Sequence, residues 1–396
     1  MSHTLIKTDA ELAAFCGRMA QASRIAFDTE FVSEHTYRPL LCLVQVAVGE
    51  EEAVIDPLAG LEMQPFWELI VEPGREIVVH AGREEMAFCL EAVGRMPENL
   101  FDVQLAAGLI GMEYPAGYGN LISRVLNKKT HKAETRTDWR RRPLCDKQVA
   151  YAVDDVRYLF PIRDKIGERL AELGRLEWLK DEGLAWQQSV NHSLGPERWR
   201  RVSGSSTLAS RGLAIIRELW KWRDEEARRR NRPSRQTLRD DLIVELAKRR
   251  SDDPKQIAAV RGFERGDLKR AIPDLAKAIK AALELPDAEC PRTIRREPNS
   301  HLAMIGQFLS SALSSICRQQ EVAPSLVGTV DDVRELVAYR MGGSRSRSEL
   351  PELMRGWRAQ VVGQVLDDLL AGRVAIRIQD PESDHPLAIE PVTQQA

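Results

Sequence analysis

Zinc-site spacing is missing from this 396-residue chain: its six cysteines, Cys16, Cys42, Cys89, Cys145, Cys290 and Cys317, include no C-x-x-C pair. Cysteines scattered in this way read as small buried hydrophobes in a reducing compartment. Long apolar runs are missing too. The longest, Leu40 to Val48, is interrupted by Gln45 and is far too short to span a bilayer. The opening residues, MSHTLIKTDAELAAF, lack the basic-then-apolar layout of a signal peptide. These absences argue against a membrane partner and point to the cytoplasm. Charge of one sign is not in excess either. The chain carries 57 Lys and Arg against 59 Asp and Glu, a net charge of −2. It therefore has no global attraction for polyanions, and any such site must come from local segregation of charge. With 43% hydrophobic and 29% charged residues, it reads as a globular protein of two or three domains.

The first part, to about Trp186, mixes strand and helix patterns. Ser23 to Phe31, Leu40 to Val48, Glu51 to Ile55 and Glu76 to His80 read as strands. Asp9 to Gln21, Arg83 to Val93, Asp102 to Ile110, Gly119 to Leu126 and Asp146 to Glu172 read as helices. Strands joined by short turns and followed by helices predict a mixed sheet flanked by helices. Ser189 to Ser206, with its Gly, Pro and Ser, reads as a linker, and Thr207 to Leu285 as almost wholly helical. Pro286, Pro291 and Pro298 mark a second break, because proline lacks a backbone donor and clashes inside a helix. A second helical block runs from His301 to about Gly372, and residues after Asp380 read as a loose tail.

Three acidic motifs carry chemistry. In Phe27-Asp28-Thr29-Glu30-Phe31, residues two apart on a strand face the same way, so Asp28 and Glu30 project together from an apolar element. Paired carboxylates at the edge of a core repel each other and lose hydration, and a divalent cation relieves both costs. Asp102 stands just before the apolar helical run VQLAAGLIG, where an ordinary N-cap is, taken alone, the better reading. In Tyr151-Ala152-Val153-Asp154-Asp155, Tyr151 shares a helix face with Asp155, and Asp154 competes for the same place. Taken together these acids imply counter-charge. Oxygen-only ligands select hard ions, Mg²⁺ or Mn²⁺, and two such ions suit an in-line phosphoryl displacement.

These residues resemble the ribonuclease D family, the tyrosine-bearing subgroup of the DEDD exonucleases. The likeness runs through DTEFVSEHTYRPLLCLVQVA (28–47), VVHAGREEMAFCL (78–90) and ETRTDWRRRPLCDKQVAYAVDDVRYLFPI (134–162). It continues in WRRVSGSSTL, in RELWKWRDEEARRRNRPSRQTLRDDLIVELAKR and in GWRAQVVGQVLDDLLAGRVAIRI. The resemblance implies an α/β catalytic domain of ribonuclease H-like type over residues 1–187. After it would come two all-α bundles, a helicase-and-ribonuclease-D C-terminal (HRDC) domain over 206–286 and an HRDC-like one over 300–380, then a tail, 381–396. It implies a metal-dependent 3′→5′ exoribonuclease that releases 5′-nucleoside monophosphates, with transfer RNA precursors as typical substrate and a monomeric state. By the same resemblance Asp28, Glu30 and Asp155 bind one cation and Asp28 with Asp102 the second. Tyr151 orients the attacking water, the family spacing favours Asp155 over Asp154, Thr29 and Phe31 line the 3′-terminal nucleotide, and His80 is structural.

Residues 201–250 hold fourteen Lys and Arg against seven Asp and Glu. Arg228, Arg229, Arg230 and Arg232 cluster before Pro233. Cations there also suit the helix dipole, but guanidinium groups match phosphate oxygens and the charge is strongly local, which favours RNA contact. A second basic run, Arg136 with Arg140, Arg141 and Arg142 around Trp139, reads equally as a substrate channel or a charged loop. Of Trp220 and Trp222, at least one reads as core packing. Two rival functions use the same residues: a DNA 3′→5′ exonuclease, and a nucleic-acid-binding protein without catalysis.

Overall fold

The computed structural model describes residues 4–129, 137–292, 300–341 and 350–392. Six strands make one sheet: β1 (Thr4–Ile6), β2 (Arg24–Val32), β3 (Leu40–Val48), β4 (Glu51–Ile55), β5 (Glu76–Val79) and β6 (Asn99–Asp102), ordered β1-β4-β3-β2-β5-β6. β2, β3 and β4 form an antiparallel meander, and the other three join in parallel. The run LLCLVQVAV makes β3 apolar on both faces, as a strand covered by helices on both sides must be. β2 is central as well, but its pairing with β5 ends at Ala26. From Asp28 onward it has β3 on one side and an open flank on the other, and its register slips between Glu30 and Phe31.

One face of the sheet carries α1 (Asp9–Met19), α2 (Gln64–Ile70) and α3 (Arg83–Val93), packed around Phe15, Phe27, Phe66 and Ile70. Thr8 and Glu11 close a capping box that starts α1. The other face carries α4 (Val103–Gly108), α5 (Tyr118–Leu126), α6 (Asp146–Arg157) and α7 (Leu159–Glu172), and α8 (Leu176–Leu194) packs against β6 and α3. The sequence pattern predicts one helix from Asp146 to Glu172; the chain makes two, meeting at Tyr158. Pro161 is the reason, since its missing N–H and its ring cannot accommodate the carbonyl of Arg157 in a continuous helix.

The expected linker is also corrected. α8 runs to Leu194, and Trp199, on the short helical segment Pro196–Arg201, is fully buried in the core of the first helical block. That block comprises α9 (Ser210–Arg229), α10 (Ser234–Thr237), α11 (Asp240–Arg249), α12 (Pro254–Ala258) and α13 (Gly266–Glu284), around its own core of Leu219, Ile243, Phe263, Leu275 and Ile279. Trp220 and Trp222 both lie half-buried against it. Its contact with the exonuclease part runs through the β2–β3 loop. There the Tyr37 hydroxyl donates to Asp224 at 2.9 Å, the Tyr37 N–H to Asn231 at 3.2 Å, and the Gln236 amide to the Glu34 carbonyl at 3.0 Å.

The second block, α14 (Ser300–Gln319), α15 (Pro324–Val327), α16 (Val330–Arg340), α17 (Gly356–Arg358) and α18 (Gln364–Leu370), has no separate core among the described residues. Leu309, Leu313, Ile316, Leu336 and Val362 belong to the same apolar cluster as Leu105, Leu121, Leu159 and Ile166 of the catalytic part. Polar ties reinforce the joint. The buried Arg175 donates to the carbonyls of Leu109 (2.7 Å), Glu321 (2.8 Å) and Gln320 (2.5 Å), and Arg358 grips Glu182 with two bonds of 2.7 and 2.9 Å. Trp357 stacks on Trp178 at 5.4 Å. The block is not purely helical, and the loose tail expected after Asp380 is overturned in part. β8 (Leu387–Pro391) pairs antiparallel with β7 (Val374–Ile378), the alternating LAIEP answering VAIRI. Among the described residues no helix is long and apolar enough to cross a membrane.

Because the second block shares the catalytic core, Trp357→Ala is expected to cost the exonuclease part roughly 3–5 kcal/mol. Urea unfolding followed by circular dichroism and by loss of nuclease activity checks this, and both midpoints should fall together.

Candidate active site

The open flank of β2 is where charge collects. Asp28 and Glu30 project from it toward α6, half-buried, and Asp155 comes down from α6 one helical turn after Tyr151. Asp154 is not available to compete: it pairs with Arg157, which also holds Glu52 at 2.9 Å. The phenol of Tyr151 lies against the indole of Trp139, with ring centroids 6.1 Å apart.

A fourth carboxylate at this place is Glu85, not Asp102. Glu85 sits near the start of α3, is 4% exposed, and reaches the β2 flank beyond the point where β5 leaves it. It accepts the Thr29 hydroxyl proton at 2.5 Å. Asp28 is pushed well above the ordinary carboxylate range by burial, then by Glu85, Asp155 and Glu30 in that order. Burial, followed by its acidic neighbours, pushes Glu30 up to about 8, and burial chiefly pushes Glu85 and Asp155 up to about 7. Among the described residues no three His, Cys, Asp or Glu groups already close on one point, as expected of like charges standing apart.

Asp102 does other work. Its carboxylate caps α4, accepting from the N–H of Gln104 (2.8 Å) and Leu105 (3.3 Å), and also takes the N–H of Ala81 (3.2 Å) and Gly82 (3.0 Å). Four backbone donors occupy it, so the expectation that it binds a second cation is corrected, and the plain N-cap reading of the sequence describes it better. The turn it holds is strained: Ala81 has φ 53°, and a Cβ at Gly82 would meet Val79 at 2.5 Å. That turn launches α3, so Asp102 positions Glu85. The sequence signal for Glu85 was an acid on the buried face of α3, three and four residues before Phe88 and Cys89.

Other expected residues are placed as follows. Thr29 is 6% exposed and its hydroxyl is committed to Glu85, on the face of β2 opposite Asp28. Phe31 is half-buried and turns to the α3 side, edge-on to Phe88 at 5.9 Å. His80 shares the Ala116 carbonyl with the Gln104 amide, both at 2.9 Å, a structural tie. Tyr118, missed in the sequence, accepts the Tyr158 N–H at 3.2 Å where α6 gives way to α7.

The basic residues divide. Arg228 faces Tyr37 and Asp224, and Arg229 pairs with Glu226 on its own helix. Arg230 and Arg232, with Arg265, Arg270 and Asp267, line a recess of ≈ 560 Å³. Arg232 and Arg270 have no side-chain partner among the described residues. Of the second run, Arg142 is structural, holding Asp56 with bonds of 2.7 and 2.6 Å and the Cys42 carbonyl at 2.9 Å. Arg140 folds back on Asp138, and Arg136 lies outside the described residues.

Comparison with known proteins places this geometry. A family described as 3'-5' exonuclease matches residues 3–171, and the HRDC domain family matches 212–279. The ribonuclease D of Nitrobacter hamburgensis is 31% identical over 378 residues, covering 95% of this chain and 97% of that one. The chain belongs to the ribonuclease D family. The ribonuclease D of Pseudomonas paraeruginosa is 34% identical over 365 residues, with 91% of this chain and 96% of that one covered. The crystal structure of Escherichia coli RNase D superposes with a TM-score of 0.82 at 27% identity, over 94% of this chain and 99% of that one. That protein is described as an exoribonuclease involved in structured RNA processing. As a member of the family, the chain is a hydrolytic 3′→5′ exoribonuclease with a ribonuclease H-like α/β domain, and its substrate is RNA.

The raised carboxylates make stability depend on pH. The folded chain keeps protons on Glu30, Glu85 and Asp155 where the unfolded chain, with carboxyls near their ordinary values of 4.5 or 3.8, has released them. At these three positions the folded state then binds more protons, so their contribution to stability is greatest at low pH and is lost as pH rises toward about 8. Thermal unfolding in chelator across this window should show that fall, and Glu30→Gln should flatten it. Asp102→Asn should lower stability by roughly 1–3 kcal/mol, because its side chain offers fewer acceptors to the four backbone N–H groups, and should raise the Mg²⁺ needed for half-maximal turnover, because the turn that aims Glu85 loosens; denaturant titration and a Mg²⁺ titration of activity measure the two.

Proposed function

We propose that the chain trims the 3′ ends of transfer RNA precursors and other structured RNA as a monomer, using two divalent cations, Mg²⁺ or Mn²⁺, held by Asp28, Glu30, Glu85 and Asp155. The observation that carries this is the gathering of four carboxylates at the open flank of β2, where the other three each raise the ionisation cost of Asp28. Such a set fits hard cations, since its donors are all oxygen and, among the described residues, no basic side chain pairs with it. Asp28, on which the other three act, would be the acid shared between the cations. When bound, the cations supply a nucleophile at neutral pH and stabilise the leaving 3′ oxygen of the scissile phosphodiester.

The chain's own groups do the rest. Tyr151, held by Trp139 and one turn before Asp155, orients the attacking water with its hydroxyl. Asp102 and the strained turn at Ala81 keep Glu85 in register with β2. Water attacks in line, the terminal phosphodiester breaks, and a 5′-nucleoside monophosphate leaves. Arg230, Arg232, Arg265 and Arg270 line the recess in the HRDC domain, where guanidinium forks match the phosphates of RNA upstream of its 3′ end.

Two experiments test this. With 3′-labelled RNA, Asp28→Asn and Glu85→Gln should each lower turnover by roughly a hundredfold or more, and chelator should abolish it. Turnover that survives chelation would count against the metal assignment. Exchanging Arg232 and Arg270 for Gln should weaken RNA binding and flatten the slope of log affinity against log salt by about 0.7 for each phosphate no longer neutralised. An unchanged slope would remove the recess from the RNA path.

A further inference from the structure

Gln45, in the middle of β3, is fully enclosed, and neither the nitrogen nor the oxygen of its amide finds a hydrogen-bond partner among the described residues. Its surroundings are apolar: Val54 is its cross-strand partner on β4, in one cluster with Leu43, Ala152 and Val153 beneath α6. A buried amide without a partner destabilises a fold, and a methionine or leucine would fill the same space. Its partner on the other side is Asp28. Residues directly opposed in an antiparallel pair point to the same face, with Cβ atoms about 4.5–5.5 Å apart. Two amide donors therefore stand beside a carboxylate that receives no side-chain hydrogen bond among the described residues. The unmatched amide has as its neighbour a carboxylate that, among the described residues, accepts only from the backbone of Thr29.

We propose that Gln45 is a positioning residue for Asp28: its amide NH₂ donates to the ionised Asp28 carboxylate and fixes which oxygen faces the cations. This rests on Asp28 being a metal ligand, as proposed above. The amide carries no charge, so it adds a donor without competing for the cations as a lysine or arginine would. The strand register has already set the two side by side, so the contact requires a change in the Gln45 side chain and none in the backbone.

The test is Gln45→Met in the full-length protein, a change that keeps length and volume and removes only the polar atoms. Thermal unfolding is followed in chelator and against rising Mn²⁺, and turnover of 3′-labelled RNA against rising Mg²⁺. The Met variant should unfold in chelator at the wild-type temperature or above it, and should need roughly tenfold more Mn²⁺ for the same thermal shift and more Mg²⁺ for half-maximal turnover. A Met variant that is less stable in chelator with an unchanged metal requirement would overturn the proposal, since the amide would then serve the fold. A variant identical to wild type in every readout would overturn it too. Asp28→Asn run alongside separates the two levels: if that variant keeps the Mn²⁺-dependent shift, the metal-ligand reading of Asp28 is what has failed.

Discussion

Mutual repulsion among Asp28, Glu30, Glu85 and Asp155 is the constraint around which the catalytic part is built. The four come from three different elements, and each element is held by something that resists the repulsion. β3 grips the catalytic strand along one side, the Thr29 hydroxyl restrains Glu85, and Arg157 draws off Asp154 so that α6 presents one acid and not two. Like charges can be assembled in a folded protein only when such restraints exceed their repulsion and desolvation, and here the restraints are strand register, a capped turn and a helix.

Much of this was legible in the sequence because the relevant signals are local. The period of two makes Asp28 and Glu30 neighbours, and the spacing of four does the same for Tyr151 and Asp155. The apolar run of β3 announces a strand buried on both faces. What could not be read depends on distance. Whether Asp102 or Glu85 approaches Asp28 turns on where β5 stops pairing with β2 and on how the Ala81 turn aims α3. No local pattern contains that information. The ordinary reading of Asp102 as an N-cap was available from its position alone, and the family likeness drew it toward the metal site.

Other departures have equally specific causes. Gly, Pro and Ser between residues 189 and 206 suggest a linker, yet Trp199 within that stretch supplies enough apolar area to anchor it in the HRDC core. The polar composition after Asp380 hides a short alternation, Leu387 to Pro391, that becomes visible only opposite its partner strand. The arginine cluster of α9 looked uniform; the helix turns Arg228 to the catalytic part and Arg230 to the recess, and composition carries no angle.

The two helical blocks differ in one respect that governs how the chain reaches its native state. The HRDC bundle closes on contacts within about ninety consecutive residues, Trp199 to Cys290, whereas the second block meets the catalytic part through pairs such as Ala323 N–H to Gly108 carbonyl, about two hundred positions apart. Long-range closure of that kind is slow and local closure fast. During synthesis the middle of the polypeptide can therefore become native while the nuclease that precedes it still waits, its apolar flank uncovered, for the last hundred residues to leave the ribosome.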